Sequence, residues 1–237
     1  MKKPLLIVAT AVAALTLSAC SDSSNNQTSA STKAAPAKTL KISAPTAEYA
    51  NDPYHSSLSF SVTHIGLANY VMRFTDFSAA LTLNSENISK SSIALDINPV
   101  SITTDFDGDY TATHKQSQFK TWEAELAHNP KFLNASEHPN IRFNSTEVSP
   151  NSDGTLTVIG DLTLLGQTHP VTLNASLVGD VEKHPFFGFG ALGFSARGSF
   201  NRSEFGMTHL TQPPLVGDKV TIVFEGEFHR VVDKPTQ

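Results

Sequence analysis

Apolar and polar residues alternate with a period of two in most segments between residues 57 and 228. The first such segment places Leu58, Phe60 and Val62 on one face and small hydroxyl residues on the other. This alternation predicts a β-strand with one buried face. The same pattern recurs in seven further segments: 72–83 (with a slip of one residue between Phe74 and Phe77), 93–97, 141–143, 156–164, 171–177, 192–200 and 220–228. The chain is therefore predicted to be all-β, with about eight strands.

Short links rich in Asn, Ser, Asp and Gly join several of these segments, at 84–87, 151–154 and 165–168. Tight links between strands with one apolar face favour an antiparallel sheet over βαβ units. Eight antiparallel strands close into a barrel, which removes the exposed edges and leaves room for a small ligand. We expect the barrel, and a two-sheet sandwich is the alternative.

The segment 105–139 interrupts the alternation and predicts a helical insertion between two strands. Phe119, Trp122 and Leu126 follow at spacings of three and four, which places them on one helix face. Pro130 disfavours helix at Asn129 and ends it there. Two placements remain open: a lid across one mouth of the barrel, or a helix packed on its outside.

The N-terminus predicts export and lipid anchoring. Lys2 and Lys3 precede a 13-residue apolar run, Leu5–Leu17, which is too short for a membrane span and suits a signal peptide. Leu17-Ser18-Ala19-Cys20 resembles a bacterial lipobox, in which the cysteine is acylated, here with palmitate as the expected chain. We divide the chain into a signal peptide (1–19), a disordered tether with lipidated Cys20 (20–47) and a barrel domain (48–232).

These features place the protein in the bacterial cell envelope, periplasmic and held by the acylated Cys20. Ser21 after the cysteine favours the outer over the inner membrane by analogy with other lipoproteins. Cys20 is the single cysteine, so no intramolecular disulfide forms. The net charge of −5 argues against nucleic acid as a partner. The oligomeric state is open, a homodimer included.

Five stretches together carry a family resemblance: DPYHSSLSFSVTHIG (52–66), RFTDFSAALTL (73–83), HPNIRFNSTEV (138–148), GDLTLLGQTHPVTL (160–173) and GFSARGSFNRSEFGM (193–207). In this order and spacing they resemble the YceI-like family of periplasmic proteins, from Tyr49 to Glu227. The resemblance implies an eight-stranded, lipocalin-like antiparallel barrel. It further implies an elongated apolar tunnel that binds a polyisoprenoid, such as an isoprenoid quinone or a polyprenyl phosphate. The lipid anchor and the long Trp-containing insertion depart from the commonest family pattern.

The apolar strand faces and the aromatic-rich segment after residue 185 supply the candidate tunnel residues. They are Phe60, Val62, Phe74, Phe77, Leu81, Leu162, Leu164, Phe186, Phe187, Phe194, Phe200, Phe205, Met207, Ile222 and Phe224. Arg202 follows a strand of this set and has two interpretations. Its guanidinium contacts a lipid headgroup at one mouth, or it pairs with a carboxylate or caps carbonyls to hold a corner of the barrel.

The sequence does not contain the common catalytic and metal-binding motifs described below. No Gly-x-Ser-x-Gly motif is present; the nearest segment, around Ser195, lies within a predicted strand. The nine histidines include no i,i+4 pair suited to zinc and no His-x-His. Asp105, Asp107 and Asp109 do not follow the EF-hand order and predict a solvated acidic loop. We expect no enzyme, no metal and no cofactor apart from a bound lipid.

Two functions follow from these observations. In the first, the protein binds an isoprenoid lipid in its barrel for shielding, storage or transfer in the envelope. In the second, it is a structural or interaction protein of the envelope whose barrel is filled by its own side chains.

Overall fold

The computed structural model describes residues 40–232, so the predicted signal peptide, Cys20 and most of the predicted tether lie outside the described residues. The strands are β1 Ala47–His64, β2 Ala68–Phe74, β3 Phe77–Leu83, β4 Ser92–Ile97, β5 Ile102–Thr103, β6 Ile141–Pro150, β7 Leu156–Leu164, β8 Gln167–Val181, β9 Ala191–Asn201 and β10 Val216–Arg230. The α-helices are α1 Tyr110–Thr113 and α2 Trp122–His128, and three single 3-10 turns cover Ile88–Lys90, Pro99–Ser101 and Arg202–Phe205. In the described part, no helix has both the length and the apolar character needed to cross a membrane.

The strands form a closed antiparallel barrel. Around it they follow the order β10, β9, β8, β7, β6, β4, β3 and β1, and β10 pairs back onto β1. β2 and β3 share one position, because β3 pairs with the start of β1 and β2 with its end. The barrel therefore has eight strand positions, as the sequence predicts, and the sandwich is excluded.

The slip in the alternation between Phe74 and Phe77 is the break between β2 and β3. The backbone N–H of Thr75 donates to the carbonyl of Ser101 (3.2 Å), and that of Asn98 donates to the carbonyl of Asp76 (3.0 Å). The two residues of the break thus bond to the 98–101 turn instead of continuing the strand. Phe74 is consequently buried, and Phe77 packs on the same core.

The core lies inside the barrel, where alternate residues of each strand meet. In β7 the buried side chains are those of alternate residues, Leu156, Val158, Leu162 and Leu164, as period-two patterning requires. Gly160 occupies the remaining inward position, and a Cβ there would lie 2.4 Å from the Phe143 ring. The glycine leaves the space that this ring fills.

Residues 40–46, the end of the predicted tether, lie against the barrel. Ala44 is buried, and its backbone N–H donates to Oδ2 of Asp180 at 2.9 Å. The Tyr49 hydroxyl donates to the carbonyl of Pro45 at 2.7 Å. These contacts connect the N-terminal segment to β8 and to β1.

Candidate functional site

Two adjoining apolar cavities occupy the barrel interior. One, of about 190 Å³, lies at the end covered by α2, and we call it the lid-side cavity. The second, of about 120 Å³, lies deeper. Both are lined by Leu58, Ile97, Leu162 and Ile222. The shared walls make the two cavities consecutive compartments of one elongated interior.

The helical insertion covers one end of this interior. The lid-side cavity is lined by Trp122, Leu126, Phe132 and Leu133 of this insertion. Of the two placements left open by the sequence, the insertion therefore takes the one across a mouth of the barrel. We use the term lid for residues 122–133. The segment begins where the Thr121 side chain accepts a hydrogen bond from the N–H of Ala124, a standard N-cap.

Helix α2 ends at Asn129, as the sequence predicts from Pro130. The following turn folds back, with the N–H of Leu133 donating to the carbonyl of Leu126 at 3.1 Å. Trp122 stacks on Tyr110, with ring centroids 5.7 Å apart, and meets Phe132 edge-on at 5.9 Å. The Tyr110 contact packs the lid against α1, and the Phe132 contact lies within the lid.

Arg202 holds the backbone at the rim of the lid-side cavity. It is 3% exposed, and its Nε, Nη1 and Nη2 donate to the carbonyls of Gly217 (2.9 Å), Met207 (3.0 Å) and Val216 (3.0 Å). Burial lowers the pKa of Arg202, against the opposing charge of Asp218, and a guanidinium stays protonated nonetheless. In the structure Arg202 caps carbonyls and so holds a corner of the barrel, which is one of the two roles considered from the sequence.

The Tyr70 hydroxyl is a polar group in this apolar interior. Tyr70 lines the lid-side cavity, and its buried hydroxyl has no hydrogen-bond partner among residues 40–232. Buried hydroxyls are normally paired, because leaving one unpaired costs about 1–3 kcal/mol. A ligand oxygen that reached the hydroxyl would satisfy it.

His209 lies beside the lid and packs edge-on against Phe132, with ring centroids 5.5 Å apart. Burial lowers the pKa of His209, and the positive charges of Lys131 and Arg202 lower it further, against the weaker influence of Glu125. Burial and these charges therefore favour the neutral imidazole where His209 meets the lid.

Comparison with known proteins agrees with this architecture. The YceI-like domain model matches residues 49–228. The chain belongs to the YceI-like family. A UPF0312 protein of Shewanella denitrificans is 30% identical over 172 residues, covering 73% of this chain and 82% of the relative. A UPF0312 protein of Serratia proteamaculans is 32% identical over 172 residues, covering 73% and 81%.

Solved structures share the fold. BcnA of Burkholderia cenocepacia matches with a TM-score of 0.59 at 18% identity, over 75% of this chain and 98% of that one. The YceI protein of Campylobacter jejuni matches with a TM-score of 0.59 at 20% identity, over 72% and 90%. At these identities the likeness concerns the fold. It confirms the lipocalin-like barrel that the sequence resemblance implied.

Most of the predicted tunnel residues come together in the interior of this YceI-like barrel. Those that line the lid-side cavity are Phe60, Val62, Phe74, Leu162, Leu164, Phe200, Met207 and Ile222. The deeper cavity is lined by Leu81, Phe194 and Phe224, together with Leu162 and Ile222 again. Period-two alternation thus selects the lining well wherever a strand is regular.

Four predicted residues lie elsewhere. Phe186 and Phe187 are 86% and 57% exposed, because they belong to a loop between β8 and β9 that packs on the outside of the barrel. Phe205 is fully buried, beneath Phe200 at 5.1 Å, and Phe77 packs edge-on against Phe224 at 6.1 Å. These four pack in the loop or the core and do not line either cavity.

Other lining residues were missed from the sequence. Met72 and Ile97 follow the same alternation as the chosen residues and could have been found from it. Trp122 and Leu126 share the predicted helix face, but only the fold shows what that face covers. His64 lines the lid-side cavity yet is exposed, which places it at the rim.

The predicted acidic loop and the pair Asp52–His55 both lie away from the two cavities. Asp105, Asp107 and Asp109 are exposed, as predicted for a solvated loop, and Asp109 caps α1. Asp52 accepts a hydrogen bond from the Nδ1–H of His55 at 2.6 Å on the outer wall. Desolvation acts to raise the pKa of Asp52, but this bond and the N–H of Tyr54 outweigh it and lower that pKa.

Proposed function

We propose that this YceI-like protein binds an isoprenoid lipid, of the isoprenoid quinone or polyprenyl phosphate type, inside its barrel. The main observation in support is the pair of adjoining apolar cavities beneath the lid. Two consecutive apolar compartments suit a linear chain better than a compact, polar metabolite. In the envelope such a protein would shield, store or transfer the lipid.

The energetics favour a chain over a headgroup as the main recognition element. Burying one CH₂ contributes about 0.8 kcal/mol, so a five-carbon isoprene unit contributes about 4 kcal/mol. Leaving a membrane costs a similar amount, because lipid tails are equally apolar. The net affinity therefore depends on the few polar contacts and on how well the interior fits.

The size of the interior bears on how much of the lipid it holds. Each cavity, at about 190 and 120 Å³, is smaller than the roughly 300–1,000 Å³ of pockets that enclose a drug-sized ligand. A long chain therefore requires the lid to move outward or the cavities to widen. The stacking of Trp122 on Tyr110 and side-chain hydrogen bonds from Thr104 to Glu123 and from Ser117 to Glu125 join the lid to the preceding segment. Since none of these contacts is covalent, the lid is the part expected to yield.

The Tyr70 hydroxyl supports a polar headgroup at the lid end. It is the buried polar group of the lid-side cavity that lacks a partner among the described residues, whereas the guanidinium of Arg202 already binds three carbonyls. A quinone carbonyl or a phosphate oxygen would accept its hydrogen bond. We therefore assign headgroup contact first to Tyr70.

Binding, and not catalysis, is the assignment that the rest of the chain supports. Ser195, at the nearest approach to a nucleophile motif, lies within β9 and donates to Glu225 at 2.9 Å. The same carboxylate also pairs with Arg197 at 3.3 Å, so Ser195 belongs to a polar network between β9 and β10. YceI-like membership supports a binding role as well.

We further propose that acylated Cys20 anchors the protein on the periplasmic face of the outer membrane. Lipidation adds about 0.8 kcal/mol per buried CH₂, and more than one chain is needed for stable anchoring. A Cys20→Ser variant would then take up no labelled palmitate. Palmitate incorporation into that variant would overturn the proposal.

Native mass spectrometry of the full chain carrying Cys20→Ser, purified from its host without detergent, tests the lipid. A bound species with a five-carbon mass ladder after extraction supports isoprenoid binding and identifies the headgroup. A chain that is free of lipid and also rejects added ubiquinone and undecaprenyl phosphate overturns it. The self-filled envelope protein would then be the better description.

A further inference from the structure

Five ionisable side chains gather on the outside of the barrel, toward the end away from the lid. They are Asp52, His55, His184, Glu227 and His229, and we call them the outer cluster. The loop between β8 and β9 supplies His184 and packs against His229. The lipid cavities do not involve them, since none of the five lines either cavity.

Local structure explains why these side chains converge. Between the pairs Asn51↔Phe228 and Ser56↔Gly226, β1 advances five residues while β10 advances two. This bulge lies at Pro53, which has no backbone N–H to donate to the ladder. It carries Asp52 and His55 onto the outer wall.

Strand β10 supplies two more groups by ordinary alternation. Phe228 points into the core and is 1% exposed, so its neighbours Glu227 and His229 both point outward. His184 reaches the same place from the β8–β9 loop, which closes on itself through the bond from the Gly188 N–H to the His184 carbonyl at 2.8 Å. Three separate segments therefore meet.

The distances among the candidate donor atoms are short. Oε1 of Glu227 lies 2.7 Å from Nε2 of His229 and 3.7 Å from Nε2 of His184. Oδ2 of Asp52 lies 4.0 Å from Nε2 of His229. In a tetrahedral zinc site with bonds near 2.0–2.1 Å, neighbouring ligand atoms are about 3.4 Å apart. The donor atoms of His184, Glu227 and His229 all lie within 4.8 Å of one another, so shifts of about 1 Å would bring these three to that spacing, whereas Asp52 has to move further.

The surroundings of the two imidazoles are aromatic. Phe187 stacks on His184 with centroids 4.8 Å apart and lies 5.4 Å from His229. Phe189 lies 5.5 Å from His229. His184 and His229 are consequently only 17% and 20% exposed in their side chains. A partly dry shell of this kind strengthens charge interactions at the donors.

We propose that His184, His229 and Glu227 bind a divalent transition-metal ion, with Asp52 as the fourth ligand. Two imidazoles with carboxylates form a donor set suited to zinc and its neighbours, and unsuited to calcium or magnesium, which prefer oxygen ligands. Two carboxylates also neutralise the charge of a divalent ion. His55 then holds Asp52 in place through its 2.6 Å hydrogen bond.

Metal binding would rearrange one hydrogen bond in the loop. The Phe186 N–H donates to Nδ1 of His184 at 3.3 Å, whereas a metal on Nε2 requires the proton on Nδ1. That bond is long and exposed, so water replaces it at small cost. The ion would in return join the β8–β9 loop to β10 and β1, and so restrain the aromatic residues that the loop exposes.

Zinc titration of the full chain tests the proposal. The protein is untagged, carries Cys20→Ser to remove its single thiol, and is first treated with EDTA. Competition against a chromophoric chelator is expected to give one zinc per chain, and zinc is expected to raise the melting temperature. Cobalt is expected to give the visible absorption of a tetrahedral site.

Matched variants decide whether the outer cluster is the site. His229→Gln and His184→Gln are each expected to weaken zinc binding at least about tenfold. Glu227→Gln is expected to do the same, while Glu225→Gln, two residues earlier on the same face of β10, leaves it unchanged. His128→Gln in α2 is the histidine control. The proposal is overturned if the parent protein does not bind zinc. It is also overturned if the His184, Glu227 and His229 variants bind zinc as tightly as the parent.

Discussion

The Nε–H of Arg202 donates to the carbonyl of Gly217 at 2.9 Å and so ties the turn after β9 to the start of β10. Two further bonds from the same guanidinium reach Met207 and Val216. A permanently charged group lies there because one planar cation satisfies three carbonyls that would otherwise face an apolar cavity. Arg202 is thus part of the barrel's rim.

Replacing Arg202 with Met is expected to destabilise the fold by about 3–5 kcal/mol, because three buried carbonyls lose their donor. Urea unfolding measures this. Arg197→Met is the control, since Arg197 forms an exposed pair with Glu225 that is worth about 0–1 kcal/mol. If Arg202→Met unfolds like the parent but loses lipid, Arg202 contacts the ligand instead.

Replacing Tyr70 with Phe is expected to weaken the binding of undecaprenyl phosphate roughly tenfold, because one net hydrogen bond to a charged group contributes about 1.5–3 kcal/mol. The binding of a prenyl hydrocarbon without a headgroup should not change. The fold should be slightly stabilised, since an unpaired buried hydroxyl is removed. Fluorescence competition with the two lipids measures the ratio. If the ratio of the affinities for the two lipids is unchanged, the headgroup does not contact Tyr70.

Replacing Ile222 with Phe is expected to block passage between the two cavities, since Ile222 lines both. The lipid retained per chain in native mass spectra should fall, at a stability cost of about 1–3 kcal/mol for overpacking. Val223→Phe is the control on the same strand, because that side chain points outward by alternation. Equal lipid loss in both variants would contradict a continuous interior.

Acidification is expected to lower stability through His209. Its pKa is lowered in the folded protein and is about 6.5 when unfolded. The unfolded chain therefore binds the proton first, and stability falls as the pH drops below about 6.5, until the pH passes the folded pKa. The difference in urea midpoint between the parent and His209→Gln, followed from about pH 7.5 to 5, isolates this contribution. A difference independent of pH would show that His209 does not titrate with unfolding.

Several features of the protein are determined by the sequence alone. The strands and their buried faces follow from period-two alternation, and even the slip between Phe74 and Phe77 marks the break between β2 and β3. The end of α2 at Asn129 follows from Pro130. These are local effects, since strand faces and proline geometry depend on residues close in the chain.

Other features exist only in the tertiary structure. That the strands close into a barrel and not a sandwich is decided by the pairing of β10 with β1. The helix face of Trp122 covers the cavity because of where the barrel closes, and Phe186 and Phe187 lie outside it because their loop folds over β10. Asp52, His184 and His229 lie far apart in sequence and meet through a bulge, a loop and an antiparallel register. Spacing along the chain does not encode such proximity, because long-range pairing brings the donors together only once the barrel has closed.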